Sequence, residues 1–226
     1  MSNWINLVFV IDKSGSMYNN QEDVVNGFNS VIEEQKKNTD GRVTVSLFTF
    51  SDKVHDDYLG KDIDDIGKFV YEPDGLTALN DGIGHAIDRV GEWLYERDLN
   101  NEEMPQKTLV VVMTDGMENN SKDYTLEKVQ EMIKRQTDMY SWEFVYIGTD
   151  ITTKKPALDL GIKNMAYTAK KNISKAYQFI NCVTTCYRNA STATGATRAM
   201  ATALNEGSYN LTTEYENDLG RKITST

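Results

Sequence analysis

A carboxylate and two hydroxyls at alternating positions, Asp12, Ser14 and Ser16, follow directly on the apolar run Leu7-Val8-Phe9-Val10-Ile11. Such a run reads as a strand buried on both faces, and residues two apart in extended chain project to the same side. The three oxygens can therefore converge at a strand end, with Gly15 allowing a tight bend between the serines. One charged and two neutral oxygens form a hard donor set. That set suits Mg2+, Mn2+ or Ca2+ and is poor for zinc, which prefers nitrogen and sulfur.

Two further segments carry the same kind of chemistry. Leu109-Val110-Val111-Val112-Met113 is a second buried-strand run that empties into Thr114-Asp115-Gly116, again a carboxylate at a strand end beside a turn-forming glycine. Between the two runs, Pro73-Asp74-Gly75-Leu76-Thr77-Ala78-Leu79 is a turn signal that places Thr77 just before a helix. Taken singly, these pieces have plainer readings as a capped strand-to-helix turn, an ordinary N-cap and a turn. Their joint occurrence favours a metal.

In this order, D-x-S-x-S, G-x-T-A-L and T-D-G resemble the von Willebrand factor type A domain and its metal-ion-dependent adhesion site, over roughly the first 170 residues. The chain looks most like the free-standing bacterial and phage members, including those encoded near tellurite-resistance genes. The resemblance implies that Asp12, Ser14, Ser16, Thr77 and Asp115 hold the metal, with Mg2+ or Mn2+ ahead of Ca2+. It also implies that the first strand and the Val110 strand are neighbours where the strand order reverses. There Asp12 and Asp115 would face one another, in the crevice where doubly wound sheets bind ligands. A Glu or Asp from a partner protein would then complete the coordination.

Helical and strand patterns alternate along the chain, which indicates an α/β fold with helices on both faces of a sheet. Val24, Val25, Phe28, Val31 and Ile32 make one helical stripe, and Leu79, Ile83, Ala86, Ile87, Val90 and Leu94 make another. Strands are expected at the two apolar runs, at 43–50, 54–59 and 144–147, and more weakly at 165–167. The expected architecture is a doubly wound, mostly parallel six-stranded sheet, Rossmann-like, with one antiparallel edge strand. A charged helix is expected over 62–70, and a later one over 173–187. The expected division is a domain over 1–190 and a tail over 191–226, partly helical around 198–204 or mobile.

Composition bounds the partners. A formal net charge of −10 over 226 residues argues against nucleic acid or an anionic membrane as the main partner. Neither a membrane-length apolar stretch nor a secretory leader is visible, and Cys182 and Cys186 sit four apart in the helix expected over 173–187, where a local bridge would be awkward. Reduced thiols in a cytoplasm are the simplest expectation. His55 and His85 lack any ligand pattern. Asp56, Asp57, Asp62, Asp64 and Asp65 lack the order of an EF-hand loop, and Trp93, Tyr95, Trp142 and Tyr146 read as core or groove aromatics.

Two function classes remain. One is a cytoplasmic interaction module, not an enzyme, that captures an acidic residue of a partner protein through Mg2+ or Mn2+. The other is a metal-dependent phosphohydrolase or phosphotransfer enzyme using Asp12 as nucleophile. Against the second, the common aspartyl pattern needs another Asp two residues on, where this chain has Ser14, and neither a phosphate loop nor a G-x-S-x-G elbow occurs.

Overall fold

Nine consecutive residues of the first strand, β1 (Trp4–Asp12), are buried, as expected of a strand covered on both faces. The computed structural model of the chain describes residues 3–148, 154–167, 173–190, 212–216 and 222–225. β1 pairs in parallel with β2 (Arg42–Phe50) on one side and β4 (Lys107–Thr114) on the other. β5 (Glu143–Gly148) and β6 (Asn164–Tyr167) continue the parallel set, while β3 (Val54–Asp62) runs antiparallel at the edge beside β2. The order β3-β2-β1-β4-β5-β6 is the expected six-stranded mixed sheet, and it reverses direction at the β1–β4 pair.

Alternate residues of β1 enter two different cores. Ile5, Leu7, Phe9 and Ile11 meet α1 (Gln21–Lys37) and α5 (Ile173–Asn189), whereas Val8 and Val10 meet α2 (Leu79–Leu99) and α3 (Leu126–Tyr140). A short α4 (Lys154–Asp159) contributes Ala157 to the second core. Gly27 explains how α1 and α5 approach so closely: a Cβ there would lie 2.0 Å from a ring carbon of Tyr177.

Two differences from expectation have physical causes. The charged helix expected over 62–70 is only a 3-10 turn, Ile63–Asp65, followed by irregular chain. Ile63, Ile66 and Phe69 recur every three residues and imitate a helical stripe, yet they pack into the α1-side core from the 3-10 turn and the irregular chain after it. The other difference lies in the tail, where β7 (Thr212–Glu216) pairs antiparallel with β6 and β8 (Lys222–Ser225) pairs with β7, so the sheet reaches eight strands. Segments of five and four residues are too short to reveal a period, although Thr212, Thr213, Tyr215 and Ile223 favour extended chain. The helix expected around 198–204 lies outside the described residues.

The acidic edge is held by side chains of α2 and β2. Asp56 of β3 accepts from Arg89 Nε at 2.8 Å and lies 2.6 Å from His85 Nε2, and Asp57 accepts from the Thr49 hydroxyl at 2.8 Å. His85 thus ties edge strand to helix.

The end of α5 is fixed by buried polar contacts. Lys107 Nζ donates to the carbonyls of Tyr187 and Ala190, and the Asn3 amide donates to that of Arg188 at 2.7 Å. The Arg188 guanidinium is 2% exposed and donates to the carbonyls of Gln35, Asn38 and Asp40, at 2.9, 2.7 and 3.0 Å, where α1 ends and the next strand begins. These carbonyls have no intrahelical donors of their own. Arg188→Ala therefore strands the two buried Gln35 oxygens and releases the partly buried carbonyls of Asn38 and Asp40, and urea unfolding is expected to show a loss on the order of 1–3 kcal/mol. Arg188→Lys, which lacks the planar fork, recovers only part of it. A variant as stable as the parent would show that the clamp does not hold α5 in place.

Candidate metal centre

Register brings the two strand ends level. Asp12 lies opposite Phe50 on β2, and Ile11 lies opposite Met113 on β4, so Thr114 comes beside Asp12. The Thr114 hydroxyl donates to Asp12 Oδ2 at 2.5 Å, and the Ser14 amide donates to Asp12 Oδ1 at 2.7 Å. Ser14 Oγ and Ser16 Oγ share a hydrogen bond of 3.0 Å, and Ser16 Oγ donates to Asp115 Oδ1 at 2.5 Å. A continuous chain of polar contacts thus runs from Thr114 through Asp12, Ser14 and Ser16 to Asp115, joining both strand ends.

Thr77 enters from a third loop. A Cβ built on Gly116 would lie 3.1 Å from Thr77 Oγ1 and 3.8 Å from Asp12 Oδ2, so the glycine leaves a cradle between hydroxyl and carboxylate. All five residues singled out in the sequence, Asp12, Ser14, Ser16, Thr77 and Asp115, therefore meet at the carboxyl end of the sheet. Among the described residues, no three His, Cys, Asp or Glu side chains gather as a ligand set. The donors on offer are two carboxylates and three hydroxyls. Such oxygens fit Mg2+ or Mn2+ and give nothing to a metal that needs nitrogen or sulfur.

Backbone contacts hold the three loops together. Lys13 donates its amide to Phe50 and accepts from Asp74, both at 2.8 Å, and the Gly15 amide reaches the Gly75 carbonyl at 3.0 Å. Gly75 has φ +73°, and a Cβ there would lie 2.5 Å from Asp52 Oδ2, so this turn requires glycine. Tyr71 donates its hydroxyl to the Asp12 carbonyl at 2.5 Å.

Two carboxylates join the loop after Asp115 to the start of α2, Glu118 from the loop and Asp81 from the helix. Glu118 accepts from the amides of Asn80, Asn120 and Ser121, and Asp81 accepts from those of Lys122, Asp123 and Tyr124. Asn119 brackets Thr77: its side-chain oxygen accepts from the Thr77 amide at 2.9 Å, and its own amide donates to the Thr77 carbonyl at 3.0 Å. Sequence reasoning missed Tyr71, Asn119, Glu118 and Asp81 because their contacts are side chain to backbone between distant segments. Only Thr114 carried a signal, as the first residue of T-D-G.

The site is electrostatically loaded. Burial pushes the Asp12 carboxyl up to about 6, with the nearby Asp115 charge adding to the rise and the hydrogen bonds from Thr114 and Ser14 opposing it.

The family profile of the von Willebrand factor type A domain matches residues 6–175. The chain belongs to that family. Solved structures similar to this VWA domain include proximal thread matrix protein 1 of the mussel byssus, at 21% identity and a TM-score of 0.58 over 80% of this chain and 46% of that one. The manganese-loaded TRAP protein of Plasmodium vivax is 20% identical with a TM-score of 0.54, over 78% and 73% of the respective chains. The vWF domain of the type V pili tip protein Mfa5 from Porphyromonas gingivalis is 11% identical with a TM-score of 0.56, over 85% and 98%. At these identities the likeness concerns the fold. The chain spans about half the length of the mussel protein. Comparison with curated protein sequences gives no significant match.

The Thr114 contact can be tested without any metal. Thr114→Val keeps the side-chain shape but removes a donor to a buried carboxylate, with an expected cost of about 2 kcal/mol in chemical denaturation, and Thr114→Ser is expected to retain most of the stability. Equal stability of the valine variant would mean that the bond does not tie β4 to Asp12.

Proposed function

We propose that this VWA domain is a metal-dependent protein-interaction module in which Asp12, Ser14, Ser16, Thr77 and Asp115 form a metal-ion-dependent adhesion site for Mg2+ or Mn2+. The carrying observation is the polar chain from Asp12 to Asp115 with the Thr77 hydroxyl at the Gly116 cradle. The family's domains generally mediate protein–protein interactions, and the TRAP relative was solved manganese-loaded. When bound, the cation offers a coordination position to a Glu or Asp of the partner. The protein's own residues hold the two carboxylates at the ends of separate strands, supply neutral oxygens between them, and tie the loops together through Tyr71, Asn119 and Gly75.

Holding a cation suits Asp12 better than attacking a phosphoryl group does. Its side chain is fully buried, and both of its oxygens already accept hydrogen bonds. The module acts in a cytoplasm, as a domain of the bacterial or phage type, with neither nucleic acid nor a membrane as partner. The acidic charge and the partly buried cysteines Cys182 and Cys186, which are not joined in a disulfide, support that setting. No helix of the described residues is long and apolar enough to cross a membrane.

Metal that binds only the folded state adds about 1.4 kcal/mol of stability at tenfold excess over its Kd. Thermal unfolding with and without Mn2+ is expected to show that increment as a rise in Tm, and Asp12→Asn is expected to abolish it while circular dichroism reports an intact fold. The same increment in the variant would contradict the assignment of Asp12.

Partner capture has its own signature. Chelation by EDTA is expected to release a bound partner, and Thr77→Ala is expected to weaken capture more than it lowers Tm. Replacing the partner's bridging Glu or Asp by its amide is expected to mimic chelation. Capture that survives both EDTA and Thr77→Ala would place the binding surface elsewhere.

A further inference from the structure

Three large apolar side chains stand exposed within two residues of the oxygen-bearing residues, one in the 3-10 turn Gly15–Asn20 and the others on two different loops. Tyr18 (69% exposed) lies two residues after Ser16, Leu76 (52%) directly precedes Thr77, and Met117 (53%) directly follows Gly116. With consecutive Cα atoms about 3.8 Å apart, each collar residue sits within about 8 Å of a site residue along its own loop. The loops themselves are tied to one another, through Gly15 to Gly75 and through the paired contacts of Asn119 with Thr77.

The local fold does not require an apolar side chain at Leu76. The Leu76 amide is satisfied by Asp52 Oδ1 at 3.1 Å, and Gly75 already supplies the unusual backbone angle, so a polar side chain at 76 would build the same turn. Met17, by contrast, is fully buried next to the exposed Tyr18, so the first loop separates a core residue from an outward one. Exposed apolar groups scattered singly need no explanation, whereas three that each lie within two residues of a site residue, on segments tied to one another, stand where an interaction surface around the cluster would need them.

We propose that Tyr18, Leu76 and Met117 form an apolar collar that selects a partner segment in which the bridging Asp or Glu is flanked on both sides by apolar side chains. The inference rests on the metal-dependent reading above and adds the sequence context of the partner's acid. A carboxylate alone presents the same chemistry from any acidic surface and gives little selectivity. A collar that packs on flanking apolar groups shields the central ionic contact from water, which strengthens it in the lower local dielectric and disfavours acids set among polar residues.

The test uses the full chain and a displayed library of dodecapeptides with a fixed central Glu, panned in Mn2+ and eluted with EDTA. Eluted peptides are expected to be enriched in Leu, Ile, Phe, Tyr or Met next to the Glu. The best synthetic peptide is expected to bind the Tyr18→Ser and Leu76→Ser proteins at least about tenfold more weakly than the parent, which is about 1.4 kcal/mol. Met117→Ser serves as a third, independent arm, and Mn2+ titration is expected to give the same metal affinity for all four proteins. Chelator-released peptides with polar neighbours, undiminished binding by the collar variants, or a library yielding no chelator-released peptide would overturn the collar while leaving the metal reading standing. Failure of the parent to bind Mn2+ would overturn the metal reading and the collar with it.

Discussion

The parallel pairing of β1 with β4 is the constraint on which the site depends. Because Ile11 pairs with Met113, the next residues on the two strands, Asp12 and Thr114, come level and bond directly, and Asp115 follows one position later at the mouth of the crevice. A slip of one residue would point Asp12 to the opposite face of the sheet and separate it from both serines. Such a slip is prevented by the two cores, since Leu7 and Phe9 fill one and Val8 and Val10 the other. Packing on both faces thus fixes a polar geometry at the sheet's end.

The loops extend that rigidity outward. Each of the three segments that carry oxygens is pinned to another by backbone hydrogen bonds, and Glu118 and Asp81 each gather three amides of their surroundings. A site made of short hydroxyl side chains needs this support, because serine and threonine reach only a short distance from the backbone. The cost appears at Asp12, where burial next to a second carboxylate raises the proton affinity. A bound divalent cation would relieve that repulsion.

Much of this was legible in the sequence for a physical reason: the site is written in short motifs at the ends of strongly apolar strands. Buried parallel strands leave continuous apolar runs, so β1 and β4 announced themselves, and the polar residues immediately after them marked the mouth. The supporting residues were not legible. Tyr71 lies in irregular chain that carries no periodicity, and Asn119, Glu118 and Asp81 act on backbone amides, which any sequence offers everywhere. The 62–70 segment misled because apolar residues spaced by three also arise in a 3-10 turn and irregular chain packed under a helix. β7 and β8 were too short and too polar to be seen, and Arg188 gave no sign that a lone cation late in α5 would close the end of α1.

The central claim is that the five oxygen-bearing residues hold a divalent cation, and diffraction from crystals grown in Mn2+ tests it most directly through the metal's anomalous signal. The account predicts a strong peak among the side-chain oxygens of Asp12, Ser14, Ser16, Thr77 and Asp115, absent from crystals of the Asp12→Asn protein. A map with no peak there, or with its strongest peak at the acidic edge of Asp56 and Asp57, would contradict it.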